Sequence, residues 1–152
     1  MINTMQTAYV RILRKIKQKA DGESAVARDL AKENVEKILS QFSEDPGILE
    51  AARKLYNTAI KSYRVPNALI AETAKDGAKL LRDKFGKPAC SEIFHIFSSA
   101  ITQLFDLNAE PIAQALITDA ATFFTESNCP EQATKIANVL KEPRAKSDVK
   151  LF

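Results

Sequence analysis

His95, the only histidine in the chain, is the first candidate for acid–base or metal chemistry. Glu92 precedes it by three residues, so on a helix the two side chains share a face, as in carboxylate-bridged di-metal bundles. Such a site needs a second Glu-x-x-His motif on a facing helix, and the sequence has no second histidine. We therefore expect no metal site. We expect His95 to lie on a solvated polar stripe of its helix, formed by Ser91, Glu92, His95, Ser98, Ser99, Thr102 and Asp106.

Cys90 is the candidate nucleophile, because the first turn of a helix favours a thiolate. Within one helix, however, Cys90 and His95 point about 140° apart around the axis, so they cannot form a nucleophile–base pair. No glycine-rich phosphate loop is present, and carboxylates lie one helical turn from lysines, which is typical of surface ion pairs. We therefore expect no enzymatic activity and no cofactor.

The number of cysteines and the hydropathy of the chain bear on the cellular compartment of the protein. Cys90 and Cys129 are too few for a disulfide framework and lack the paired spacing of a zinc site, so a reducing intracellular, cytoplasmic location is the simplest interpretation. A single disulfide between them remains an open alternative. No apolar run approaches the roughly 20 residues that cross a bilayer, and the N-terminus lacks the features of a secretory signal.

Charge is unevenly distributed along the chain. Residues 1–20 contain five basic side chains and no acidic one, whereas the rest of the chain is slightly acidic. A second basic strip lies further along the chain. These two segments supply the candidate binding residues, which are Arg11, Arg14 and Lys15 in the first and Lys75, Lys79 and Arg82 in the second. They could contact a polyanion such as nucleic acid, although an apolar face as regular as that of residues 2–20 usually docks on its own domain. We do not expect a membrane surface as partner.

The elements that must position these residues are helical. The chain has 152 residues, of which 45% are hydrophobic and 27% charged, as in one globular domain. Prolines and glycines divide it into about seven amphipathic helices. The start signals are Asp45-Pro46, Pro66-Asn67, Pro88, Asn108 as a cap, and Pro130; the stop signals include Asp21-Gly22 and Gly86.

The architecture follows from the short connections between these helices. They predict an all-α fold of antiparallel helical hairpins, with the very apolar helix after Pro88 at its centre. Segments 59–81 and 100–124 align weakly, which favours a short solenoid-like superhelix somewhat over a compact bundle. We expect a single all-helical domain over residues 1–141 and an irregular tail over residues 142–152. For the apolar pair at its end, Leu151 and Phe152, we expect no docking role.

Taken together, these features indicate a non-enzymatic binding or adaptor protein whose partner is another protein, bound in a helical groove through apolar anchors and surrounding charges. The alternative is a nucleic-acid-binding accessory protein that uses the basic segment 11–19. The oligomeric state stays open.

Overall fold

The computed structural model describes residues 10–12, 14, 24–42, 44–45, 47–61 and 67–138. The all-α class expected from the sequence is confirmed, and these residues contain no strand. A short 3-10 helix, Lys87–Ala89, precedes the fourth α-helix. The α-helices within the described ranges are α1 (Ser24–Gln41), α2 (Ile48–Lys61), α3 (Asn67–Phe85), α4 (Cys90–Asp106), α5 (Glu110–Glu126) and α6 (Pro130–Ala137).

Two of the predicted boundary signals act as expected. The Asp45 side chain accepts a hydrogen bond from the Gly47 N–H at 2.9 Å, and α2 begins directly afterwards. This arrangement satisfies a backbone donor that has no partner inside the helix. At the other end of the next helix, Gly86 adopts a φ of 66° and ends α3. With a ψ of −140°, Gly86 is in a region of backbone conformation that glycine adopts at no steric cost, so the helix cannot readily continue through it.

Asn108 has a different role from the expected one. It does not cap α5, because the N-cap is Ala109 and no side chain caps this helix. Asn108 instead takes a φ of 60° and ends α4, so that the Ala109 N–H donates back to the Leu104 carbonyl at 2.8 Å. Asn128 repeats the turn after α5, with a φ of 59°. Asparagine is among the few residues that tolerate this conformation, so both helices end in the same Schellman turn.

Helix α4 is at the centre of the core, as its very apolar sequence predicts. It contacts α2, α3, α5 and α6. Phe97, in the middle of α4, is 1% exposed and packs edge-to-face against the rings of Phe123 and Phe124, with centroids 5.7 and 5.6 Å away. The aromatic rings therefore join α4 to α5.

Gly77 of α3 lies directly against the Tyr56 side chain of α2. A Cβ placed there would lie 2.9 Å from Cγ of Tyr56, whose side chain is completely buried. The absence of a side chain at this position lets the tyrosine ring lie against the backbone of α3.

One predicted segment lies partly, and another wholly, outside the described residues. Of the basic first helix, only residues 10–12 and 14 are described, all of them helical. The tail 142–152, including Leu151 and Phe152, is wholly outside.

Candidate binding surface

The polar face of α4 is covered rather than solvated over its middle. Ser98 and Ser99 are 0% and 3% exposed, so the expected solvated stripe is wrong at these positions. On the same helix, the Glu92 carboxylate forms an ion pair with the Arg53 guanidinium of α2, and both side chains are about three-quarters buried (25% and 21% exposed). Because α4 is surrounded by neighbouring helices, its small serines are enclosed and its glutamate is paired across the interface.

His95 lies at the half-buried edge of this face. Its ring makes an edge contact with Phe94, with centroids 6.5 Å apart. Glu92 is engaged by Arg53, so the Glu92–His95 spacing does not assemble a pair of free ligands. Among the described residues, no three His, Cys, Asp or Glu side chains lie close enough together to hold a metal ion.

The second basic strip lies on one side of α3 and is tied to α5 at two points. The Lys75 ammonium is 2.7 Å from the Asp119 carboxylate, and the Arg82 guanidinium lies 4.8 Å from the centroid of the Phe123 ring. Lys79 lies between them on α3 and is exposed. We call this surface the α3–α5 ridge; it comprises Lys75, Lys79, Arg82, Asp119 and Phe123.

A carboxylate lies beside two of the three cations of the α3–α5 ridge, and one of these carboxylates, Asp83, flanks the ridge on α3. Asp119 faces Lys75, and Asp83 approaches Arg82 with 3.3 Å between Oδ1 and Nε. Both ion pairs are substantially solvent-exposed, so each contributes at most about 1 kcal/mol to folding. Lys79 forms no ion pair with any residue in the described part of the chain. The ridge is therefore a mixed-charge surface rather than a uniformly basic one.

The sequence identified the three cations of the ridge but not Asp119 or Phe123. Phe123 is partly buried and packs against the hydrophobic core. The packing of α3 against α5 determines which cation lies next to Asp119 and which lies next to Phe123. The sequence of either helix alone does not predict that packing.

The first basic segment is described at only three of its relevant positions. Ile12 is 7% exposed and belongs to the hydrophobic core, as expected for a docked amphipathic helix. Arg11 and Arg14 are exposed, and Lys15 lies outside the described residues. The apolar side of this segment is therefore buried at Ile12, while the two arginines remain accessible.

Cys90 and Cys129 form a disulfide, with their Cα atoms 6.0 Å apart. Cys90 lies in the first turn of α4, as expected, but its sulfur is bonded and is not a free nucleophile. Of the alternatives left open by the sequence, the structure has the single disulfide. Because disulfides persist mainly in oxidising compartments, this bond weighs against the reducing location that the cysteine count suggested.

Comparison of the chain with protein-family models, with curated proteins and with solved structures finds no match. In the part of the chain that the structure describes, no helix has both the length and the apolar character of a membrane span.

Proposed function

We propose that this protein is a non-enzymatic protein-binding adaptor and that the α3–α5 ridge contacts its partner. The observation that supports this proposal is the stacking of Arg82 on the part-exposed ring of Phe123, beside the Lys75–Asp119 ion pair. Arginine and aromatic side chains are enriched at the centres of protein interfaces, where a few such residues dominate the binding energy. Here they lie together on two packed helices.

The charge pattern of the ridge favours a protein over a nucleic acid. A surface that binds phosphates gains affinity by releasing counterions, and carboxylates next to the cations oppose that gain. Asp83 and Asp119 occupy such positions beside Arg82 and Lys75. A partner protein that presents both signs of charge around an apolar anchor complements this surface.

The proposal is tested by quantitative affinity capture from native cell extract with two charge-reversal variants. The ridge variant carries Lys75→Glu and Lys79→Glu, and the control carries Lys37→Glu and Lys54→Glu. The control lysines are also exposed, and each pairs with a glutamate one turn earlier on its helix. The two variants thus change the net charge equally.

The wild type and the control should retain the same proteins, and the ridge variant should lose them by about tenfold, which is about 1.4 kcal/mol of binding energy. Nuclease treatment should change nothing. Equal retention by the ridge variant and the control would contradict the ridge as the binding surface, and loss of all bound proteins on nuclease treatment would contradict direct protein binding.

A nucleic-acid-binding accessory role is the second candidate, because Arg11 and Arg14 are exposed on either side of the buried Ile12. Its test is the variant Arg11→Glu, Arg14→Glu, Lys15→Glu, titrated with duplex and single-stranded DNA over a range of salt. This role predicts wild-type binding that weakens steeply with salt and is lost in the variant. The protein-binding role predicts neither effect.

We also propose a cytoplasmic location, and the Cys90–Cys129 disulfide sets a condition for it. In a reducing compartment, the Cys90–Cys129 bond must resist the thiol pool or form only transiently. Location and the redox state of this pair are therefore linked.

A further inference from the structure

Helix α6 is the shortest of the described α-helices, and it packs mainly on α5, with a much smaller contact to α4. It has only eight residues, and a helix this short depends on tertiary contacts for its stability. Its one fully buried side chain is Ile136. Near it, the Lys135 ammonium lies 5.9 Å from the centroid of the Phe94 ring on α4. These contacts leave the disulfide from Cys129 to Cys90 as the strongest attachment of α6 to α4.

Both sulfurs of this disulfide lie at helix N-termini. Cys90 is the first residue of α4, and Cys129 is the N-cap residue of α6. Neither helix start has a side-chain cap, so no capping side chain competes for the first-turn N–H groups, although the Cys90 N–H itself donates to the Lys87 carbonyl of the preceding 3-10 helix. The helix dipole and free N–H groups stabilise thiolates. Stabilising the reduced form makes a disulfide easier to reduce.

We propose that the Cys90–Cys129 disulfide is a redox-controlled clamp that holds α6 on α4 when oxidised and releases it when reduced. The ridge lies on α3 and α5, so this proposal does not depend on the proposed function. The clamp spans 39 residues of sequence separation and joins the start of α4 to the start of α6. Breaking it therefore acts first on the contact between α6 and α4, which is much smaller than the contact between α6 and α5.

The reductant is a dithiol. One of its thiolates attacks the sulfur of Cys90, because Cys90 is the less buried residue of the pair (7% exposed, against 2% for Cys129), and the Cys129 thiolate leaves and takes up a proton. The second thiol of the reductant loses its proton and attacks the mixed disulfide, which releases the Cys90 sulfur as a thiolate. The reductant leaves as its own disulfide, so two electrons pass to the protein.

Hydrogen exchange followed by mass spectrometry tests the clamp on the full chain, air-oxidised and after reduction with dithiothreitol. Reduction should accelerate exchange of the α6 amides by about tenfold, because local opening costs less without the cross-link. Amides of α2 and α3 should keep their rates. The variant Cys90→Ser, Cys129→Ser should show the fast α6 exchange with and without dithiothreitol.

Three results would overturn the proposal. The first is α6 exchange that does not change on reduction. The second is acceleration throughout α2 and α3, which makes the bond a general staple of the fold. The third is a pair of freely alkylated thiols in the air-oxidised protein. If the double-serine variant does not fold, the wild-type comparison alone decides.

Discussion

At the residue scale, Gly77 is the position where a single methyl group has the clearest consequence. Alanine is the better helix former by about 1 kcal/mol, so Gly77→Ala would stabilise an exposed helix. At this site its Cβ would lie 2.9 Å from the buried Tyr56 ring. We therefore expect a net loss of about 1–3 kcal/mol in the free energy of unfolding, measured by urea denaturation.

A double-mutant cycle identifies the cause of that loss. In a Tyr56→Ala background the ring is gone, and Gly77→Ala should be neutral or stabilising. If Gly77→Ala costs the same free energy in both backgrounds, close contact with Tyr56 is not the reason.

Local signals in the sequence were informative where a single residue determines the backbone conformation at a helix end. Asp45 and Gly86 were predicted as boundary residues because capping by a side chain and a positive φ both depend on the residue itself. Asn108 was predicted at the correct boundary, between α4 and α5, but in the wrong role. Asparagine serves both as an N-cap and as a left-handed residue that ends a helix.

At the element scale, α4 supports the core through Phe97. Truncating this ring leaves a cavity between α4 and α5, so Phe97→Ala should reduce the free energy of unfolding by about 3–5 kcal/mol. Leu107→Ala, just past the end of the same helix, is the control because Leu107 is 39% exposed. Its unfolding free energy should change by less than about 1 kcal/mol. Similar losses in the two variants would contradict the central position of α4.

The periodicity of this helix predicted its apolar rows but not the burial of its polar ones. Ser98 and Ser99 repeat with the polar residues, and on an amphipathic helix that pattern indicates solvent. Enclosure of a helix by four neighbours is a tertiary property that overrides the pattern. The same property pairs Glu92 with Arg53, two residues that no local spacing connects.

At the scale of the whole molecule, the helical class was predictable because proline, glycine and apolar spacing agree along the chain. The stacked-hairpin repeat remains a prediction. The composition of the ridge was half predictable: its cations share one helix face, whereas Asp119 and Phe123 come from α5 through helix packing. The disulfide was one of two alternatives, because two cysteines alone do not determine whether they meet.

The most direct test of the protein-binding ridge is photo-crosslinking in native cells. One chain carries a photo-crosslinking amino acid in place of Lys79, which is exposed in the middle of the ridge, and a matched chain carries it in place of Lys54, which is 50% exposed on α2. After irradiation, the adducts are treated with nuclease and identified by mass spectrometry. We predict a nuclease-resistant protein adduct from position 79 and none of that protein from position 54. An adduct with nucleic acid at position 79, or the same protein captured equally at both positions, would contradict it.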